Sequence, residues 1–205
     1  MKRKQLKENE TVQAITKRDE RKIISYFQNS SNKWSTRNLT LFELGINTGL
    51  RISDLVALKY SYVFDKNKLR KRIKPIQEQK TGKLNDHLYL VNNQLRKQLS
   101  AYQHWLKDNH VYYQYLFPNS RNERTHIKPI TFYRTFKRVT RRIGCKRNYG
   151  THSMRKTFGM NQYRKSGYNL VYVQKLLNHS KPTITEHYLG IDKQGLKNEF
   201  LKLNS

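Results

Sequence analysis

Apolar positions recur at helical spacing along most of the chain and give way to strand-like runs only between about residues 62 and 90. Ile23, Ile24 and Phe27 share one side of a segment that Thr16 opens, with Asp19 three residues on in the manner of a capping box. Leu39, Phe42 and Ile46 predict a second helix over 35–47, and Gly49 stands just past its end as a stop signal. Ser53 is placed to cap a short helix through Leu58. Tyr62-Val63-Phe64, a polar turn at Asp65-Lys66-Asn67, the stretch 70–79, a tight turn at Thr81-Gly82, and Leu88-Tyr89-Leu90 together predict a small antiparallel sheet. Helical spacing returns over 93–107, and Phe117-Pro118-Asn119 through Thr125 reads as a loop.

The segment 131–143 is the most amphipathic, with Phe132, Phe136, Val139 and Ile143 on one stripe and Arg134, Lys137, Arg138 and Arg141 on the other. Thr151 can cap a helix that ends near Gly167, and Leu170, Val173, Leu176 and Leu177 mark another, broken by Asn178 and Pro182. Tyr188 follows on a short helix or turn, and Leu196, Phe200 and Leu201 predict a last short helix. The fold class is therefore α+β, mainly α-helical, with a small antiparallel sheet near 62–90. Residues 1–11 are charged and aperiodic, a flexible basic lead-in by expectation, and 12–205 form one domain that includes a helical tail over 192–205.

Charge changes the picture more than length does. The 42 Lys and Arg against 14 Asp and Glu leave a net charge of +28, which points to a polyanionic partner, nucleic acid first. The basic residues are spread along the whole chain, unlike the concentrated clusters that attach proteins to membranes. No run approaches the ~18 apolar residues of a membrane span, and Met1-Lys2-Arg3-Lys4 does not lead into a signal peptide. Cys145 is the single cysteine, so no internal disulfide and no cysteine-based zinc site can form, and a cytoplasmic location is expected.

The chemistry narrows by elimination. There is no GxxxxGK[ST] loop to cradle a nucleotide, no carboxylate cluster for a two-metal nuclease, and no HExxH spacing for a zinc hydrolase. Phosphoryl transfer without a metal or other cofactor remains, with cationic side chains in the metal's place. Arginine suits that role because its planar fork holds two oxygens and stays charged. A tyrosine can then be the nucleophile and keep the energy of a broken phosphodiester in a covalent link.

Four stretches carry a resemblance to the tyrosine recombinase (phage integrase) family. They are Thr48-Gly49-Leu50-Arg51-Ile52-Ser53-Asp54-Leu55, then Gln79-Lys80-Thr81-Gly82-Lys83, then Thr151-His152-Ser153-Met154-Arg155-Lys156-Thr157-Phe158, and finally Leu176-Leu177-Asn178-His179-Ser180 with Thr185-Glu186-His187-Tyr188. They stand in the family's order from about Val12 onward. The resemblance implies the family's catalytic-domain fold and a recombinase or integrase that cleaves and rejoins double-stranded DNA. Tyr188 would form a 3′-phosphotyrosyl link, Arg51 and Arg155 would grip the non-bridging oxygens, and His152 would serve in proton transfer at the tyrosine. His179 would hydrogen-bond the phosphate, and Lys80 would protonate the departing 5′-hydroxyl, with Lys83 on the same turn as the alternative acid. Asp54 resembles the supporting acid.

Lys83, Arg134, Arg138, Lys156 and Lys181 are further candidates for DNA contact. Asp54 stands where the family more often has Glu, and Asn178 where a Gly commonly precedes the second histidine; Asn tolerates the left-handed backbone such a turn needs. So few residues precede the catalytic-type stretch that no N-terminal core-binding domain is expected. The family implies a homo-tetramer on DNA, and a monomer off DNA is compatible with it. A silent DNA-binding regulator of the same fold, acting as repressor or excision control, and a basic RNA-binding or structural protein are the alternative readings.

If affinity rests on the basic surface, log K for duplex DNA should fall linearly with log salt, by roughly 0.9 for each phosphate contacted. Fluorescence anisotropy from about 50 to about 200 mM salt measures this. A flat response would remove the DNA-surface reading.

Overall fold

The structure is a computed structural model that describes residues 12–86, 91–111 and 114–191. Its centre is a helix wrapped by others. The helix α1 (Lys17–Gln28) starts at Thr16, whose hydroxyl accepts from the Asp19 amide at 3.1 Å, as the capping pattern predicts. The Asp19 carboxylate does not turn back to complete the box. It accepts instead from the Tyr149 hydroxyl at 2.7 Å, which ties the start of α1 to the distant segment before residue 150.

The helix α2 (Ser35–Thr48) is buried on every side, so its apolar residues do not form a single stripe. It packs on α1, on α5 (Asn93–Asp108) and on α7 (Thr151–Lys165). Its polar residues survive burial through partners on α5: Thr40 accepts from Gln98 at 2.9 Å, Glu43 from Gln94 at 3.4 Å, and Asn47 from Asn92 beside α5 at 2.8 Å. Arg37 is buried and, among the described residues, pairs with no carboxylate; it donates to the Pro118 carbonyl at 2.7 Å and lies over the Trp34 ring at 4.5 Å. Burial lowers its pKa to about 10, still far enough above neutrality to keep the charge.

Gly49 ends α2 in the left-handed conformation, φ 65°. A Cβ there would lie 2.3 Å from the Phe158 ring of α7, so both the backbone and the packing require glycine. The next turn, α3 (Ile52–Val56), begins at Arg51 in extended conformation. Ser53, expected to cap it, lies inside the helix, and no side chain caps this N-terminus.

The expected sheet near 62–90 is two separate two-stranded antiparallel ladders. Tyr62 and Val63 belong to the helical turn α4 (Tyr60–Val63), where Val63 is fully buried, because a short apolar run serves a buried turn as well as a strand. After it β1 (Phe64–Asp65) pairs with β2 (Lys68–Leu69) across Lys66 and Asn67, both at positive φ as a tight two-residue hairpin demands. Then β3 (Ile76–Gln77) pairs with β4 (Leu84–Asn85), Gln77 opposite Leu84, across a turn that contains Lys80 and Gly82. The Leu88-Tyr89-Leu90 run, the lead-in 1–11 and the tail 192–205 lie outside the described residues.

The amphipathic helix α6 (Pro129–Arg142) buries Phe132, Phe136 and Val139 as its stripe predicts, and leaves Arg134, Arg138 and Arg141 exposed. Two short helices complete the described chain: α8 (Leu170–Leu176) and α9 (Pro182–Leu189). Pro182 starts α9, where its fixed φ suits the first helical turn and its missing N–H costs no bond. Buried apolar side chains fall into two groups. The large one spans α1 to Met154; the small one is Phe158, Val173, Leu177 and Leu189, with Tyr188 packed against it. Gly159 lets α9 come close, since a Cβ there would meet Leu189 at 2.9 Å.

Gly49→Ala should cost about 2 kcal/mol or more, from the left-handed backbone together with overpacking against Phe158. Urea unfolding with an unchanged m-value measures it; a loss below about 0.5 kcal/mol would contradict the geometry.

Candidate active site

Two breaks in helical structure and one hairpin bring the functional side chains together. Arg51 sits at the first break, just after Gly49. His152 and Arg155 lie three apart in the first turns of α7, hence on neighbouring positions of its surface. That helix starts at Gly150, whose amide donates to Ser153 Oγ at 3.1 Å. His179 follows the second break, where Asn178 takes φ 51°, the left-handed geometry its side chain tolerates. Tyr188 rides on α9.

Arg155 is buried, and its guanidinium donates through Nη1 to the Gly49 carbonyl and through Nη2 to the Leu177 carbonyl. These bonds join the end of α2 to the end of α8 and fix the plane of the cation. Arg51 pairs through Nη1 with Glu78, a residue 1% exposed at the end of β3. Glu78 also accepts from Thr81 at 2.6 Å and from Asn85 at 3.2 Å. Burial pushes its pKa up, yet the Thr81 hydroxyl and the Arg51 charge outweigh this and hold it below the usual carboxylate range.

Asp54 is 3% exposed and accepts from the Gln79 amide at 2.9 Å, so it anchors the strand end next to Lys80. Burial, opposed by the Gln79 amide and assisted by the Glu78 charge, raises its pKa; its second oxygen has no hydrogen-bond partner among the described residues. Lys80 and Lys83 are both exposed on the hairpin. Lys80 is among the cations that act on His152, after Arg155; Lys83 is not.

His179 Nδ1 lies 3.0 Å from Thr185 Oγ1. Thr185 is fully buried, and among the described residues its hydroxyl has no other partner. A buried hydroxyl hydrogen needs an acceptor, so Thr185 donates to Nδ1 and the imidazole proton sits on Nε2. Burial, then the charges of Arg155 and Arg51, lower the His179 pKa to about 4. His152 is lowered as well, by burial first and then by Arg155 and Lys80. Both rings are neutral at working pH, His152 as a potential base and His179 as a donor.

The Tyr188 ring meets His179 edge-on, with centroids 5.4 Å apart, and its hydroxyl donates to the His152 carbonyl at 3.3 Å. Burial pushes the phenol up to about 12 against the opposing pull of Arg155 and Arg51, so it is protonated near neutrality. Lys156 Nζ stands 5.4 Å from the centre of the Tyr188 ring, which places this lysine at the tyrosine. Lys181, Arg134 and Arg138 are exposed and make none of these contacts. Glu78 and Thr185 were not among the residues singled out from sequence. An acid two positions before Lys80 in a basic stretch, and a threonine three before Tyr188, were the available signals. A cleft of about 800 Å³ between α1 and the end of α6, lined by Arg21, Lys22, Tyr26 and Arg142, shares no residue with this site.

The helices around α2 and the hairpin have the fold of a tyrosine recombinase catalytic domain. The family model described as "Phage integrase family" matches residues 13–194, and the chain belongs to that family. It is 34% identical over 182 residues to the probable integrase/recombinase YoeC of Bacillus subtilis (strain 168), covering 89% of this chain and 91% of YoeC. It is 25% identical to the tyrosine recombinase XerA of Saccharolobus solfataricus (strain ATCC 35092 / DSM 1617 / JCM 11322 / P2), over 83% of this chain and 51% of that protein. Among solved structures, XerH site-specific recombinase bound to its difH substrate in a pre-cleavage complex superposes with a TM-score of 0.67 at 20% identity. That match covers 85% of this chain and 49% of XerH. The crystal structure of XerA recombinase gives a TM-score of 0.70 at 18% identity, over 94% of this chain and 65% of that one. The chain thus spans about half the length of several proteins it resembles. Among the described residues no helix is long and apolar enough to cross a membrane.

His179 should remain neutral as pH falls, with its proton on Nε2, and should titrate near 4, well below the ordinary 6.5. The unfolded chain binds this proton more readily than the folded one. Its contribution to stability is therefore complete above the ordinary pKa and is lost as pH falls toward 4. Long-range 1H–15N spectra read the tautomer; an Nδ1-protonated ring, or Thr185→Val without effect on it, would refute the assignment.

Proposed function

We propose that this protein is a site-specific DNA recombinase or integrase that cleaves and rejoins duplex DNA through a 3′-phosphotyrosyl intermediate, using neither metal nor ATP. The observation that carries the reading is the convergence of Arg51, Arg155, His152, His179 and Tyr188, with the two arginines acting electrostatically on both histidines and on the tyrosine. Such an arrangement suits a phosphate diester and little else.

In the proposed cycle the scissile phosphate is held by Arg51 and Arg155, which offset the charge that grows on its oxygens, and by the Nε2 hydrogen of His179. The Tyr188 oxygen attacks phosphorus in line. Its phenol is protonated at rest, so the proton must leave as the bond forms, and neutral His152 is its acceptor. The bond from phosphorus to the 5′-oxygen breaks, and that oxygen takes a proton from Lys80. Return of a 5′-hydroxyl reverses each step and reseals the strand with no net loss of phosphodiester energy. Asp54 supports the site through the backbone beside Lys80. Exposed Arg134, Arg138, Lys83 and Lys181 provide phosphate contacts along the duplex, and assembly on paired sites proceeds as a homo-tetramer.

The test is a nicked suicide duplex carrying a cognate site selected from a randomised pool. Wild type should leave a denaturation-resistant protein–DNA adduct without magnesium, and Tyr188→Phe should leave none. Arg155→Lys, which loses the bidentate fork, should slow the adduct by roughly 100-fold or more. No adduct on a proven site would leave the DNA-binding regulator as the better account.

A further inference from the structure

Glu78 lies at the meeting point of two parts of the site that sequence reads separately. It follows β3, the first strand of the hairpin that carries Lys80, yet its side chain points back into the body of the protein and is almost wholly buried. Three side chains converge on it. Arg51 comes from the N-terminus of α3, Thr81 from the turn and Asn85 from β4. Its backbone also closes the turn, donating to Lys83 O at 2.9 Å and accepting from the Gly82 amide at 2.8 Å.

Arg51 is otherwise poorly held. It stands at an extended residue between two helices, and among the described residues Glu78 is the one hydrogen-bond partner of its side chain. The contact uses Nη1 alone, and 16% of the Arg51 side chain stays exposed while that of Glu78 keeps 1%. One corner of the guanidinium is thus pinned from beneath, and its other N–H groups keep their donor capacity. Asp54 makes the reciprocal link, from α3 to the Gln79 amide of the hairpin. The Glu78–Arg51 and Asp54–Gln79 contacts therefore tie α3 to the two residues that precede Lys80.

We infer that Glu78 is a positioning residue, which sets the Arg51 guanidinium for the phosphate and couples it to the hairpin of Lys80. The assignment rests on the proposed cleavage reaction for its purpose, but not for its geometry. The charged groups that act with it are Arg51, the neighbouring carboxylate of Asp54, and His179. A neutral side chain of the same shape would leave Arg51 without its counter-charge while the hairpin kept its hydrogen-bonded form. Ionisation of Glu78 is secured by the Thr81 hydroxyl and the arginine, which outweigh its burial.

The test compares wild type, Glu78→Gln and Thr81→Val as full chains on a pool of nicked duplexes with a randomised core. Glu78→Gln should form the covalent adduct on the order of tenfold more slowly at saturating DNA, as expected for a misplaced catalytic cation. Its duplex affinity should stay within about twofold, because phosphate contacts elsewhere dominate binding. Thr81→Val keeps the carboxylate and an exposed site, so it reports even if Glu78→Gln fails to fold; it should slow the adduct in the same direction by less. Rates equal to or above wild type in the folded variants would overturn the inference, making Glu78 a spectator or an inhibitory counter-ion. A second readout needs no cleavage. The Arg51 Nη signals in 15N spectra should be distinct in wild type and collapse to an average in Glu78→Gln, with Arg155 unchanged. Unaltered Arg51 signals would sink the proposal by themselves. If wild type forms no adduct, the recombinase reading falls while the guanidinium spectrum still decides the role of Glu78.

Discussion

The buried guanidinium of Arg155 is the joint on which the site depends. It bonds to the Gly49 carbonyl, at the edge of the large apolar group, and to the Leu177 carbonyl, within the small one. Both acceptors lie where a helix has just ended, so their carbonyls are among those a helix leaves without internal partners. A cation that must be desolvated finds the strongest available neutral acceptors there, and two helix ends that would otherwise be unsatisfied in the interior are resolved by one side chain. The same bonds determine where the Arg155 charge, proposed to bind phosphate, can sit. Its position follows from the packing of α2, α7 and α8.

The electrostatics have a consistent direction. Burial, then the charges of Arg155, Lys80, Arg51 and Lys156, lower the His152 pKa, and burial with the two arginines does the same to His179. A cluster of like charges would be costly without compensation, and within the described site the acids Glu78 and Asp54 lie below it on the hairpin and α3. A phosphate diester, the proposed substrate, has the charge and oxygen geometry to complete the set.

Much of this was legible in the amino-acid sequence, for identifiable reasons. Thr16, Gly49 and the Phe132, Phe136, Val139 stripe announce their helices because caps and amphipathic spacing are local signals. The six principal site residues stand in recognisable local motifs, and the left-handed Asn178 follows from its short amide side chain. What failed to show was tertiary. Val63 reads as strand until its burial in a helical turn is known, and Ser53 reads as a cap until the chain enters α3 two residues earlier. Glu78 and Thr185 are ordinary residue types whose importance comes from what folds against them: an arginine 27 positions away and a histidine six positions away.

The division of the apolar interior has a thermodynamic consequence for Tyr188. Among the described residues, the segment that presents it is secured by Phe158, Val173, Leu177 and Leu189, whereas the rest of the protein shares a far larger buried cluster. Free energy of local opening scales with the apolar surface a segment buries, so α8 and α9 open at less cost than the helices around α2. Tyr188, the proposed nucleophile, thus rides on the smaller of the two apolar groups. Local opening there would move Tyr188 while the helices around α2 stay folded, so the molecule's global stability places no lower bound on how readily Tyr188 changes place.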